Sequence, residues 1–170
     1  AQNFLSHLIK HLLRWLVPAF VEYRQETLKF ALAFYGTAHI FCFYEDCYTF
    51  SMHEKENYPK KEESSHDVHL ASFLGDEEYL ATLDENLAKL RQQFAPDLIF
   101  YIAGVDVYKD DMLGGLQLSF EGIAERDRRV RDFMPEVPLV VLPAGGYARN
   151  LAHTVKLHAQ TIEILHGRLN

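Results

Sequence analysis

The sequence predicts an α/β domain built on a parallel sheet. Two observations predict it. The run Leu98-Ile-Phe-Tyr-Ile-Ala103 and the run Pro138-Leu-Val-Val-Leu142 are apolar without interruption, as strands buried on both faces are. Helix-patterned segments lie between and after them, and strand–helix–strand–helix at this spacing implies right-handed crossovers in one sheet. The 170 residues, 48 % hydrophobic and 24 % charged, suffice for one domain with a sizeable core.

The elements follow in order. Leu5, Leu8, Ile9, Leu12, Leu13, Leu16 and Val17 recur at helical spacing, with His7, Lys10, His11 and Arg14 between them. This predicts an amphipathic helix over 4–17, ended by Pro18 and packed on the domain. Its cations break up the apolar stretch that a signal peptide would want. Residues 19–34 are apolar and aromatic without a turn signal, so helix and strand both stay open there. Tyr48-Thr-Phe-Ser-Met52 reads as a short strand. Residues 53–69 are mostly polar and read as a surface loop. Residues 76–94 read as a helix: Asp76 can cap it, Glu77 and Glu78 suit its first turn, and Tyr79, Leu80, Leu83, Leu87 and Leu90 form its apolar face. After the strand at 98–103, a helix is expected from Ser119 as cap to about Phe133, laced with Arg126, Arg128, Arg129 and Arg131. Ala144-Gly-Gly-Tyr147 is a tight turn after the second buried strand. A closing helix runs from Asn150 or Leu151 to His166, stopped by Gly167.

Charge and composition exclude some functions. The net charge is −7, and the pI of about 5.7 argues against a nucleic-acid partner, which needs a basic face. No apolar run reaches the ~18 residues of a membrane span. Cys42 and Cys47 form no Cys-x-x-Cys pair and read as reduced thiols of a cytoplasmic protein. The chain begins with Ala1 rather than Met, so it is read as processed or cut from something longer.

Ligands of parallel sheets bind beyond the carboxyl ends of the strands. Asp106 follows one strand end and Gly145-Gly-Tyr147 the other, so Asp106 and Tyr147 are expected to face one cleft. An Asp suits zinc, a Tyr hydroxyl can bond a developing oxyanion, and paired glycines let backbone approach. Singly each has an ordinary reading. Asp106 could cap a loop or pair with Lys109, Asp110 and Asp111 could be solvated or turn-forming, and Tyr147 could be a packed aromatic.

In combination the segments say more. Pro96-Asp-Leu-Ile-Phe-Tyr-Ile-Ala-Gly-Val-Asp106, then Asp111-Met-Leu-Gly-Gly-Leu-Gln-Leu-Ser-Phe-Glu-Gly122, then Ala144-Gly-Gly-Tyr147 resemble the histone deacetylase superfamily. Thr49-Phe-Ser-Met-His-Glu-Lys-Glu-Asn-Tyr-Pro59 and Gly75-Asp-Glu-Glu-Tyr-Leu80 fit it too, and Ala124-Glu-Arg-Asp-Arg128 is similar to bacterial class IV-like members. The resemblance spans residues 36–170 and implies a three-layer arginase/deacetylase-like fold, a parallel sheet flanked by helices, here incomplete. It implies a chemistry as well. Zinc held by two Asp and one His activates water against an acyl-amide, such as an acetyl-lysine or acetyl-polyamine, a His pair handles protons and a Tyr stabilises the oxyanion. By motif position Asp106 corresponds to the second zinc Asp and Tyr147 to the oxyanion Tyr. Leu113, Gly145 and Gly146 correspond to the substrate tunnel, Asn57 and Tyr58 to its rim, and Ser51 and Met52 to a structural monovalent-cation site.

Other parts of the pattern are missing. Gly36-Thr37-Ala38 fits the end of the family's Asp-x-His-x-Gly-x-Gly-Thr motif, and counting back puts Phe30 and Leu32 at its zinc ligands. No two His are adjacent anywhere in the chain, and residues 1–35 do not resemble the family segment. Asp67-Val-His69 has the spacing of the lost pair but lies after the Ser-Met-His segment with no Gly-Thr behind it, so it is not expected to bind zinc. The remaining His residues read as surface or capping groups. The sequence therefore predicts a truncated, rearranged or degenerate deacetylase half that does not hold zinc or hydrolyse acetyl-lysine alone, with an open sheet edge suited to self-association. The alternative is a non-catalytic binding module on the same scaffold. A nucleotide-binding domain is disfavoured, because the Gly-x-Gly-x-x-Gly turn is absent.

Overall fold

A computed structural model describes residues 30–33 as backbone, and residues 46–57 and 64–166 in full. The expected helix over 4–17, Cys42 and Tyr58 lie outside the described residues. Five strands and three helices are described: β1 (Phe30–Ala33), β2 (Cys47–Glu54), β3 (His66–Leu70), α1 (Asp76–Gln93), β4 (Leu98–Ala103), α2 (Phe120–Phe133), β5 (Leu139–Pro143) and α3 (Leu151–His166). The strands form one sheet in the order β3-β2-β1-β4-β5, and every pairing is parallel. As expected, the two apolar runs are neighbours, with Ile99 opposite Leu139 and Ala103 opposite Pro143.

Side chains alternate across the strands, and this sorts the core. Phe50, Leu70 and Ile99 pack with Tyr79, Leu83 and Leu90 of α1, Ile123 and Phe133 of α2, and Leu157 of α3. Tyr101 and Ala103 meet Leu165 of α3 and Val130 of α2. All three described helices thus cover one face. Cys47, Leu98 and Phe100, with Val140 and Leu142, form an apolar cluster on the other face, where none of the described helices packs.

Three local expectations change. Residues 30–33, left open between helix and strand, are a central strand. Residues 53–69 are not all loop: β2 continues to Glu54, and β3 begins at His66. In β3 only Val68 and Leu70 reach the core, so its polar alternate residues hid the period. Asp76 does not cap α1. The N-cap is Gly75, without a side-chain bond, and the Asp76 carboxylate instead accepts the Ser119 backbone N–H (2.8 Å) and hydroxyl (2.6 Å). Ser119 in turn accepts the Gly122 N–H at 3.0 Å, the predicted cap of α2. A side chain at Gly122 would land on the Asp76 carboxylate, so this junction requires glycine.

Register also places the positions counted back from Gly36-Thr37. Phe30 pairs with Leu98 and Leu32 with Phe100, at the start of β4. The positions counted back from Gly36-Thr37 therefore lie toward the amino end of the sheet, and Asp106 lies beyond the carboxyl end of the same neighbouring strand.

Candidate functional site

The carboxyl ends of β4 and β5 are joined beyond their last strand pair. Val105 N–H donates to the Gly145 carbonyl at 2.7 Å. The Asp106 carboxylate then lies over two glycines: a Cβ at Gly145 would meet Oδ2 at 2.9 Å, and one at Gly104 would meet Oδ1 at 3.1 Å. Gly146 packs so closely on Val105 that a Cβ would overlap its side chain, and Thr154 stands 3.2 Å away. The paired glycines thus serve close backbone approach around Asp106.

Tyr147 follows at once. Its side chain is exposed, and its backbone N–H donates to Asp111 Oδ2 at 2.6 Å. Its carbonyl accepts Met112 N–H at 3.0 Å. Asp111 Oδ1 accepts the N–H groups of Leu113 and Gly114, both at 2.8 Å. One buried carboxylate, 8 % exposed, therefore ties the Leu113 loop to the Tyr147 turn. Asn57 reaches the same loop, with Nδ2 donating to the Leu113 carbonyl at 2.8 Å. The rim is apolar and exposed at Met112, Leu113 and Tyr147.

A cavity of about 140 Å³ is lined by residues of the sheet, α1 and α2. Its walls include Met52, Tyr79, Leu83, Asp106 and Arg126. Tyr147 does not line it. Asp106 and Tyr147 share the sheet edge and the Gly145-Gly146 turn, with the Tyr147 ring out at the rim.

The floor beneath Asp106 is a buried ionic knot. Arg126 Nη1 donates to the Gly104 carbonyl at 2.7 Å, and its Nε donates to Asp127 Oδ1 at 2.9 Å. Asp127 also accepts the Tyr101 hydroxyl at 2.7 Å and the Thr161 hydroxyl at 2.6 Å. Burial, together with the Asp127 carboxylate, outweighs the nearby guanidinium and pushes the Tyr101 phenol well up, so it remains a donor. His158 sits half-buried on α3, its Nε2 3.7 Å from where a Cβ on Gly146 would lie. Burial, then Arg126, lowers its pKa and keeps the ring neutral. It is neither a surface nor a capping residue, which corrects the expectation. Of the two ordinary readings of Asp111, turn-forming holds, through its bonds to the Leu113 and Gly114 N–H groups, and solvated does not.

The sequence reading missed the bond from Asp111 to the Tyr147 turn, the Arg126–Asp127 pair and His158. For two of them a signal was present. Ile123, Asp127 and Val130 share a face of α2, and Thr154, His158 and Thr161 share a face of α3, so polar groups were spaced to point inward.

Ser51 and Met52 diverge. Ser51 Oγ lies 2.9 Å from His53 Nδ1, and the Met52 side chain packs against the apolar core. Among the described residues, no group of three or more His, Cys, Asp or Glu is placed to hold a metal ion. A catalytic zinc wants three protein ligands, and the described neighbourhood of Asp106 does not fit one.

The family profile described as Histone deacetylase domain matches residues 35–162. An uncharacterised protein of Picosynechococcus is 39 % identical over 127 residues, 73 % of this chain and 42 % of its own length. Histone deacetylase 2 of Arabidopsis thaliana is 40 % identical over 100 residues, 58 % of this chain and 25 % of its own length. A solved structure described as an HDAC homolog complexed with SAHA superimposes with a TM-score of 0.67 at 17 % identity, covering 86 % of this chain and 44 % of that one. The HDA15 HD domain gives 0.67 at 20 % identity, covering 89 % and 49 %. These two likenesses bear on the fold, a parallel sheet flanked by helices. The chain spans less than half the length of these relatives. With more than half of its residues matched by the family profile, this chain belongs to the histone deacetylase family.

Proposed function

We propose that this chain carries the carboxyl-terminal half of a zinc-dependent acyl-amide hydrolase site, and that alone it neither retains zinc nor turns over substrate. The substrate class is an acetyl-lysine or a related acyl-amide. Asp106 is the ligand-type carboxylate and Tyr147 the hydroxyl donor to an oxyanion. Leu113, Gly145 and Gly146 belong to the acyl-lysine channel, with Asn57 and Tyr58 at its rim, and Ser51 and Met52 to a monovalent-cation site.

One observation carries this reading. The Asp106 carboxylate lies against the Gly104 and Gly145 backbone at the sheet edge, with the Tyr147 turn bonded to the Leu113 loop through Asp111. The Asp-x-His positions, by contrast, hold Phe30 and Leu32. A single carboxylate competes poorly with water for zinc, so affinity collapses when its partner ligands are absent. We place the protein in the cytoplasm from its free, buried Cys47, and expect self-association along the open β5 edge. None of the described helices is long and apolar enough to cross a membrane.

The test is elemental analysis after dialysis, with an acetyl-lysine peptide assay in added zinc. Neither tightly held zinc at Asp106 nor turnover is expected. One tightly held zinc per chain, with turnover lost in Asp106→Ala, would overturn the reading. A second reading, a binding module without hydrolysis, is favoured by the rim itself, which Asp111 holds together without any metal. It predicts saturable binding of an acetyl-lysine peptide that Tyr147→Ala weakens.

A further inference from the structure

The carboxyl ends of β2 and β3 bring two histidines face to face. Strand register pairs His53 directly with His69. His53 Nε2 lies 2.9 Å from His69 Nδ1, and the rings meet edge-on with centroids 4.8 Å apart. The His53 side chain is 13 % exposed, whereas His69 is exposed. Behind His53, Ser51 Oγ lies 2.9 Å from Nδ1 and Asp67 Oδ1 lies 3.9 Å from the same nitrogen. Asp67 Oδ2 accepts Ser64 N–H at 2.7 Å, while Asp67 Oδ1 is buried without a hydrogen-bond partner.

This arrangement has a direction. A hydroxyl and a carboxylate oxygen at Nδ1 favour the tautomer with its proton there, and that leaves the Nε2 lone pair aimed at His69. Outer groups that fix one ring nitrogen so that the other can ligate are how proteins orient metal-binding imidazoles. We propose that His53 Nε2 and His69 Nδ1 together bind a divalent transition ion of the zinc, nickel or copper class, with water completing its sphere. Imidazole nitrogens suit these ions, and hard oxygen-seeking ions are disfavoured.

The distances permit it. Two bonds of about 2.05 Å at a tetrahedral angle set their nitrogens about 3.3 Å apart. The present 2.9 Å separation is the N–H···N bond that holds the pair without an ion. Parting the rings by about 0.4 Å asks only the exposed His69 to swing outward. With two protein ligands the ion is exchangeable, unlike a closed three- or four-ligand centre. The site lies two strands from β4, across β1, and uses neither Asp106 nor Tyr147.

The test is calorimetric titration of the full chain with Zn²⁺ and Cu²⁺, with nitrogen splittings read from the Cu²⁺ paramagnetic resonance spectrum. His69→Gln, an exposed change that spares the fold, should remove one ion-binding event per chain. Loss of a ligand should weaken binding by more than the ~10–100-fold that outer-shell changes cost. His53→Gln should do the same if it folds, and the spectrum should lose one imidazole nitrogen in either variant. Asp106→Asn should leave the titration unchanged. Binding that persists undiminished in His69→Gln overturns this site and leaves the proposed function standing. Binding that survives His69→Gln but disappears in Asp106→Asn overturns both.

Discussion

Replacing Asp127 with Ala should remove a large part of the stability of the described fold. Asp127 is fully buried and the Arg126 side chain is 6 % exposed. The carboxylate accepts three hydrogen bonds, from Arg126, Tyr101 and Thr161. At about 1.5–3 kcal/mol for each bond to a charged acceptor, simple addition gives an upper bound near 9 kcal/mol. Arg126 keeps its bond to the Gly104 carbonyl, and water can enter the space left by the carboxylate, so the sum overshoots. Breaking one partner of a buried ion pair costs about 3–5 kcal/mol, because the other charge stays buried without compensation. We therefore expect a loss of ~4 kcal/mol, against a total of ~5–15 for a typical domain. Urea unfolding followed by circular dichroism should show a lower midpoint at an unchanged slope. Arg126→Met with Asp127→Leu removes both charges together and should recover much of the loss. A single-variant loss below ~1 kcal/mol, or a double variant no more stable than the single, would refute the reasoning.

Three further outcomes follow from the same geometry. Asp111→Asn turns an amide N–H₂ toward a backbone N–H that now donates to a carboxylate, at Tyr147 or at the Leu113 loop. It should cost about 2 kcal/mol and shift the Leu113 and Tyr147 amide resonances, and unchanged resonances would remove Asp111 from its tying role. The His158 pKa is lowered by burial below its ordinary 6.5, so the unfolded chain takes up the proton first. Its contribution to stability is complete above that value and falls as pH drops through about 6.5 toward the folded pKa. His158→Gln should flatten that part of the stability–pH curve, and an equally steep curve in the variant would count against it. Burial pushes the Cys47 thiol up to about 12. In a Cys42→Ser background the folded chain should resist a thiol reagent at pH 8 and react once unfolded in urea, and prompt labelling of the folded chain contradicts the burial.

What could be read from sequence depended on whether a signal was local. β4 and β5 were legible because their runs are apolar throughout; β4 is buried along its length, whereas β5 is a half-buried edge strand among the described residues, so its expected burial on both faces does not hold. α2 was legible to its cap, because Ser119 bonds a backbone group three residues on. β3 was not, since its face with Asp67 and His69 is polar and its core face has just Val68 and Leu70. The edge position of Asp106 and Tyr147 was legible because strand ends followed by glycines mark a sheet's carboxyl edge. Asp111 was legible only as a turn former, through its local bonds to residues 113 and 114; its donor at residue 147 reaches it only after folding. The His53–His69 pairing is hidden for the same reason: sixteen residues separate two strands whose register alone sets the rings together.

The rim's construction bears on the proposed reading, because its loops are held by the chain's own side chains. Three side-chain carboxylates hold its loops. Glu54 Oε2 accepts Gly115 N–H at 2.9 Å and Oε1 accepts the Ser72 hydroxyl at 2.5 Å. Asp76 holds Ser119, and Asp111 holds Leu113, Gly114 and Tyr147. A side chain at Gly115 would collide with the Glu54 carboxylate, so the glycine is fixed by this anchor and not by a substrate. Each bond is of the charge-assisted kind and belongs to the protein alone. A zinc ion adds binding energy to a fold only where several ligands converge, and none of these three anchors needs it. The loop carrying Leu113 and the turn carrying Tyr147 are thus held by interactions independent of the Asp-x-His segment. On the proposed reading, absence of that segment would remove the chemistry of zinc-activated water and leave the rim in place. On that reading an intact rim is no measure of activity in this chain, and the two readings separate on whether the chain binds an acetyl-lysine peptide through Tyr147.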